Sequence, residues 1–323
     1  MKCPKCAVNH KYKDGMACAC GYRFALDPKS DGMADAKFLA MLNSATGNDT
    51  NHITENQLYM VYCRQNYSRP FIPAVIALAL LGLAIGLYFA GGKNAPIWAG
   101  LALAASMISA LASLYNWMSS PPDREKFRGI LEKWSARHGS PKKLIQEPAL
   151  HEPPPEWQEP DIYDYGVERL LIVQHDILVD LFVKNSFHAE QRALILSENG
   201  YPKYLVPLAV KALQDNPQLP VFFLHDSTDD GVEMAARMGQ SQFLAWQQHP
   251  QIDLGLFPDD VKRIGKLRVL KPGKTNYRLP VDAVPYAVLS VALTQSLADQ
   301  VALGHILLTT TSGADSDGYI GFG

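Results

Sequence analysis

The spacing of apolar positions changes character several times along this chain. From Phe71 to Ala90 the sequence FIPAVIALALLGLAIGLYFA carries no charge, and Ile97 to Trp117 repeats the pattern. A helix rises about 1.5 Å per residue, so a run of about twenty residues matches a hydrocarbon core about 30 Å thick. Gly91, Gly92, Lys93, Asn94, Ala95 and Pro96 interrupt the two runs with a short polar turn. The pattern predicts a two-helix transmembrane hairpin over 70–118, with spans at about 71–90 and 97–117. Gly82 and Gly86 form a GxxxG, and Ser106 and Ala110 repeat small residues at the same spacing. Such faces let helices approach closely, either inside the hairpin or between two copies in a homodimer.

Helical periodicity flanks the hairpin. Asp31 to Ala45 reads as a helix with Met33, Phe38, Leu39, Met41 and Leu42 on its inner face. Thr54 and Glu55 open a second, carrying Leu58, Tyr59, Val61, Tyr62 and a core thiol, Cys63. The two read as a small pair at the membrane surface. After the hairpin, Asp123 to His138 sets Phe127, Ile130, Leu131 and Trp134 at helical spacing among Arg124, Lys126, Arg128 and Lys133. A basic amphipathic helix of this kind lies in the headgroup plane or packs on its own protein. Ser140 to Pro160 is rich in Pro and Glu and is expected to be extended and poorly packed.

From Val167 short apolar runs alternate with helical segments. Strands are predicted at Arg169–Gln174, Ala193–Ser197 and Val221–Leu224, and helices at Asp176–Asn185 and Tyr204–Gln214. Strands alternating with helices imply βαβ units and a mainly parallel sheet, a Rossmann-like α/β fold. The polar residues that follow these strands would gather at the carboxyl edge, where open α/β sheets bind ligands. Further on come a strand near Phe243–Trp246, a helix opened by Pro258-Asp259-Asp260, and a strand at Lys266–Leu270. Then follow a basic loop, Lys271-Pro-Gly-Lys274, and a long helix over Val284–Leu303. The expected divisions are 1–30, a short helical region 31–69, the hairpin 70–118, a helix and linker 119–160, the α/β domain 161–308, and a flexible tail 309–323.

The net charge of -2 hides local asymmetry. Residues 1–30 hold Lys2, Lys5, Lys11, Lys13, Arg23 and Lys29 against Asp14 and Asp27, whereas Lys93 is the single charged side chain between Phe71 and Met118. Arg64 and Arg69 precede the first span, and Arg124, Lys126 and Arg128 follow the second. The positive-inside rule then puts both termini in the cytoplasm, making this a multi-pass protein of the inner (cytoplasmic) membrane with the bilayer as a partner. Tyr88, Trp98, Tyr115 and Trp117 fall near the span ends, where aromatic belts sit. Met1 to Phe24 has no apolar segment of the secretory kind.

Four of the five cysteines lie in the first twenty residues, as Cys3-Pro-Lys-Cys6 and Cys18-Ala-Cys20-Gly21. Two short thiol knuckles suit a tetrahedral Zn²⁺ with all positions filled, which is a structural site and not a catalytic one. The second knuckle is CxC and not CxxC, so the fourth ligand is less defined, and His10 stands as a substitute for Cys18; a redox pair is the alternative use of these thiols. In its CPKC and CxCGYxF elements the segment resembles the zinc-ribbon heads of many bacterial membrane proteins.

A second resemblance rests on Glu198-Asn199-Gly200-Tyr201-Pro202 and Asp226-Ser227-Thr228-Asp229-Asp230-Gly231. With the strand and helix order around them, they resemble, over Val167–Met238, the Toprim domain found in the A subunit of topoisomerase VI and in its meiotic relatives. The resemblance implies a Mg²⁺ site for phosphodiester chemistry, built from a Glu after the first strand and an Asp-x-Asp after a later one. Here Gln174 stands at the Glu position and Thr228 at the second Asp. Asp226 matches the first Asp, Asp229 is displaced by one, and Glu198, which leaves a neighbouring strand end, is a candidate to replace the lost carboxylate. Asp226, Asp229 and Asp230 also read as a solvated turn and helix N-cap, and His175 and His225 as loop residues at the same edge. Two functions follow: a membrane-anchored scaffold that binds other proteins at the cytoplasmic face, or a membrane-tethered Mg²⁺-dependent phosphodiester enzyme or nucleic-acid binder. The α/β domain has no concentrated basic stripe, which disfavours nucleic acid.

Overall fold

The computed structural model describes residues 1–66, 71–89, 95–118, 123–153, 166–239, 246–264 and 278–313. The chain divides into two compact units, Met1–Cys63 with Asp123–Gly323, and Arg64–Pro122.

In the first unit the helices are α1 (Asp35–Thr46) and α2 (Glu55–Asn66), preceded by the two-residue strand β1 (Ile53–Thr54). The second unit is built from α3 (Phe71–Phe89) and α4 (Ala95–Met118). Ala77, Ala84, Ala99 and Ala102 are buried between them, and Ser106 Oγ donates to the Ala77 carbonyl at 2.8 Å. Ala77 in the second turn of α3 thus meets the middle of α4, while Ala84, Ile85 and Tyr88 late in α3 line one groove with Pro96, Ala99 and Gly100 early in α4, so the pair is antiparallel. Ile76, Leu78, Leu83, Ile85, Leu101, Met107, Ile108 and Leu111 point outward. At about 100° per residue Gly82 and Gly86 lie opposite Ala77 and Ala84, and a Cβ at either glycine would meet nothing within 4 Å. The GxxxG therefore does not pack α3 on α4. The turn at 91–94 lies outside the described residues, as do the side chains of Tyr115 and Trp117.

Among the described residues no single helix is long and apolar enough to cross a membrane; Ile76–Gly86 and Pro96–Leu111 are the apolar stretches in α3 and α4. One bent pair, Tyr286–Asp299 with Leu303–Thr310 meeting at 118°, passes by length and composition. Its Leu289, Leu293, Leu297, Leu303, Ile306 and Leu307 are buried in the α/β core, so it is a core element.

In the first unit, α5 (Arg124–His138) and the strand β2 (Leu144–Ile145) complete a helical region with α1, β1 and α2. Phe127, Ile130, Leu131 and Trp134 of α5 are buried with Phe38, Leu58 and Tyr62. Burying each such side chain contributes on the order of 2 kcal/mol, so the face stays on the protein and is not free for headgroups. The two expected helices are thus a set of three, and α1 begins at Asp35, later than Asp31. β1 pairs in parallel with β2, Ile53 with Leu144 and Thr54 with Ile145. The expected extended linker is consequently packed at its start. Ala149 N donates to Asp180 Oδ2 at 3.0 Å and Leu150 N to the Tyr201 hydroxyl at 2.5 Å. Pro154–Pro160 lies outside the described residues.

The α/β domain has four parallel strands in the order β4-β3-β5-β6, where β3 is Arg169–Val173, β4 Ala193–Ser197, β5 Val221–Leu224 and β6 Gln251–Asp253. Its helices are α6 (Asp176–Lys184), α7 (Phe187–Glu190), α8 (Val206–Asp215), α9 (Asp229–Val232), α10 (Met234–Gly239), α11 (Pro258–Arg263), α12 (Tyr286–Asp299) and α13 (Leu303–Gly313). Leu171, Val173, Ile195, Phe222 and Leu224 face one core with α6, α12 and α13. Leu170, Ile172, Leu194, Leu196, Val221 and Phe223 face the other with α8, α10 and Trp246. Both sheet faces are covered, which is why these strands read as unbroken apolar runs. The long helix expected over Val284–Leu303 is two helices, broken where Gln300 turns left-handed at φ 57°. Residues 309–313, assigned to a flexible tail, continue α13. The expected strand at 243–246 falls largely, and those at 266–270 and the loop 271–274 wholly, outside the described residues, as do 314–323.

Candidate metal centre and the carboxyl edge of the sheet

The ribbon is two tight turns brought face to face. Cys3 N donates to the Val8 carbonyl at 3.0 Å and Ala7 N to the Cys3 carbonyl at 2.9 Å, closing the first turn with Ala7 at φ 59°. Gly21 N donates to the Cys18 carbonyl at 2.9 Å with Gly21 at φ 85°, which closes the second. The positive φ there suits a residue with no Cβ. Cys3 Sγ lies 3.6 Å from Cys20 Sγ, and Cys6 Sγ 3.7 Å from Cys18 Sγ. All four sulfurs lie within 4.8 Å of one another. Tetrahedral zinc with bonds of about 2.3 Å holds its sulfurs about 3.8 Å apart, so the thiols fit that ion. The CxC spacing does not displace Cys18. His10 is turned away, with its Nε2 2.8 Å from the Gly15 carbonyl and its ring on Phe24. Although burial opposes it, Cys3 is lowered to about 7 by the amides of Cys6 and Lys5, whereas Cys6, despite the Val8 amide, is raised to about 12 by the neighbouring thiols. Cys63, the fifth cysteine, is buried in α2 and raised to about 11 by that burial, as suits a packed thiol.

At the other candidate site the parallel strands bring Gln174, His175, Glu198, His225 and Asp226 to one edge, but each is used within the protein. Gln174 Oε1 accepts from Asp226 N at 2.9 Å, and its Nε2 donates to Asp230 Oδ2 at 3.1 Å. Asp226 is buried; its Oδ2 lies 2.9 Å from His175 Nε2, and its Oδ1 accepts from Val281 N at 2.8 Å. Glu198 Oε2 pairs with Arg237 at 2.9 Å, and Arg237 also reaches Asp230 at 3.1 Å. Asp229 is exposed in the first turn of α9, 3.6 Å from Arg278. Thr228 caps α9, accepting from Gly231 N at 2.9 Å. Glu198, Asp226 and Asp229 are therefore not assembled around a shared point. Among the described residues, the four thiols are the one group of three or more His, Cys, Asp or Glu placed to share an ion.

Residues 169–275 match the family of Toprim domains that Spo11 shares with the A subunit of topoisomerase 6. The match covers about a third of the chain. Comparison with curated proteins gives no match, and comparison with solved structures gives none.

The Toprim-like edge contains groups that spacing did not single out. Asp282 is buried beside Asp226 and accepts from Asn56 Nδ2 at 2.8 and 3.0 Å. Burial, together with the charge of Asp226, holds its carboxyl above the usual range. His225 lies in the loop after β5 but is buried: its Nε2 lies 3.1 Å from Asp253 and its Nδ1 2.8 Å from the Asp226 carbonyl. Burial lowers the imidazole, but Asp253 and the Asp226 carbonyl outweigh it and the net direction is upward. His175 is raised by its hydrogen bond to Asp226. Two glycines let this edge close up: a Cβ on Gly231 would sit 2.2 Å from the Asp226 carbonyl, and one on Gly255 2.0 Å from the His225 ring.

Proposed function

We propose that this chain is a membrane-anchored interaction protein, with a structural zinc ribbon and a Toprim-like domain that does no phosphodiester chemistry. The observation that carries it is the state of the carboxyl edge: Glu198 is held by Arg237, and Asp226 by His175 and Val281 N. A Mg²⁺ ion needs anionic oxygens free to converge on it, and binding one here would have to displace a protein cation first. Anchoring is supported by the outward Leu, Ile and Met side chains of α3 and α4, an apolar surface of the kind that seeks lipid. Basic residues flank the uncharged runs, which favours cytoplasmic termini in the cytoplasmic membrane. The outward Gly82 and Gly86 suit close approach of a second copy, and other proteins at the cytoplasmic face are the remaining partners.

The test is an assay of the full chain in mild detergent with plasmid and oligonucleotide substrates and Mg²⁺ or Mn²⁺. No metal-stimulated cleavage is expected, and cleavage abolished by Asp226→Ala would overturn the reading in favour of a Toprim-type enzyme. That second reading is favoured by one observation, Asp226 at the end of β5 within the matched segment. Resistance of the chain to carbonate extraction from membranes tests the anchor separately.

A further inference from the structure

The ribbon meets α1 and α5 through one side chain. Tyr22 follows the second thiol turn directly, and its carbonyl accepts from Cys18 N at 2.8 Å. Its hydroxyl donates to Asp35 Oδ2 at 2.8 Å and lies 3.2 Å from His138 Nε2, which is 3.4 Å from the same carboxylate oxygen. The rings of Tyr22 and His138 stack with centroids 5.2 Å apart, and the His138 ring also lies 4.4 Å from that of Trp134. Asp35, the first residue of α1, is fully buried and also accepts from Ala25 N at 3.0 Å and Leu26 N at 2.9 Å. His138 is the last residue of α5.

We propose that Tyr22 is a positioning residue through which the metal state of the four thiols sets the order of the first turn of α1 and the last turn of α5. This rests on the zinc reading above. The buried core of the ribbon is Cys3, Cys18 and Phe24, too small to hold two turns together unless a metal joins them. When the metal leaves, the second turn opens and carries the Tyr22 hydroxyl and the Ala25 and Leu26 amides away from Asp35. A buried carboxylate stripped of its donors must then reach water, and it does so by opening the helix turn on which it sits. His138 loses its stacking partner in the same step. The ribbon is thus a clamp on the two helices, closed by metal.

The experiment uses the full chain in detergent, loaded with zinc sulfate, with metal content measured first and segment hydrogen exchange read before and after chelation. The expected result is about one zinc per chain, with exchange in the first turn of α1 and the last of α5 rising about tenfold on chelation while β3, β4 and β5 stay protected. Tyr22→Phe, still loaded, should already show part of that rise and release zinc to a chromogenic chelator about three- to tenfold faster, as loss of a charged hydrogen bond near the metal predicts. Should Tyr22→Phe fail to fold, His138→Ala, outside the ribbon, must move zinc release in the same direction. Zinc bound but α1 and α5 unchanged on chelation would overturn the coupling alone. A chain that binds no zinc would overturn both the coupling and the metal reading.

Discussion

Gln174 Oε1 accepts the backbone amide of Asp226 at 2.9 Å, tying the end of β3 to the end of β5 at the position where Toprim-type chemistry places a glutamate. An amide serves here because it accepts and donates at once, its Nε2 bonding Asp230. Gln174→Glu restores the family's acid but loses that donor and sets a carboxylate against Asp230. The variant is expected to lose about 1 kcal/mol of stability in urea unfolding and to gain no Mg²⁺-dependent cleavage. Cleavage in the variant would show that one residue separates this edge from an active one.

Gly231→Ala forces a methyl to within 2.2 Å of the Asp226 carbonyl, against backbone that cannot retreat. Overpacking of this kind costs about 1–3 kcal/mol. Thermal unfolding should show it, whereas Gly82→Ala, with open space around it, should leave the unfolding of the α/β domain unchanged.

The metal site makes a ligand-by-ligand prediction. Substituting any of Cys3, Cys6, Cys18 or Cys20 by Ser should abolish tight zinc retention, measured by elemental analysis after dialysis. His10→Ala should retain it, because His10 bonds the Gly15 carbonyl and does not face the thiols. Loss of zinc in His10→Ala together with retention in Cys18→Ser would reverse the assignment.

The His225–Asp253 pair sets a pH dependence. The folded value of His225 is above its ordinary one, so its contribution is complete below pH about 6.5, the unfolded value, and is lost as pH rises through the folded value. His175 acts in the same direction. His52 and His188 are lowered by burial and act in the opposite one. The informative quantity is therefore a difference: the stability gap between wild type and Asp253→Asn should be largest in mild acid and narrow toward alkaline pH. A gap independent of pH would mean that His225 is neutral in the folded protein.

Tyr201→Phe removes the hydroxyl that donates to the fully buried Asp180 at 2.5 Å and accepts from Leu150 N. A loss of about 2 kcal/mol is expected, with faster proteolytic cleavage around 149–153. Unchanged cleavage would mean that the segment is held by other contacts.

What could be read from the sequence follows from where each element buries its side chains. β3, β4 and β5 are covered on both faces and announce themselves as RLLIV, ALILS and VFFL. β6 is QID, short and partly exposed at the edge of the sheet, and leaves no such trace. The break at Gln300 carries neither Gly nor Pro, so nothing marks the left-handed turn. The thiol turns were legible because their ligands are near neighbours in the chain. The Asn56–Asp282 bond joins residues 226 positions apart, and a pairing set by tertiary packing has no local signature. The same holds for Glu198 with Arg237: the missing acid was visible in the sequence, but the cation that took up its neighbour was not.

The two-residue pairing of β1 with β2 has a mechanical consequence. Ile53 lies one helix, α2, before the chain departs into α3 and α4, and Leu144 one helix, α5, after its return. Glu55 of α2 and Arg128 of α5, joined at 2.8 Å, tie those two helices to each other. Both ends of the excursion are thus gripped by the same body: tension on the hairpin would be met first by the packing of α2 on α5 and only then as shear across the parallel pair. Topologically α3 and α4 are a cassette: cutting out 64–122 and joining 63 to 123 through a short Gly/Ser bridge should leave the α/β domain folded.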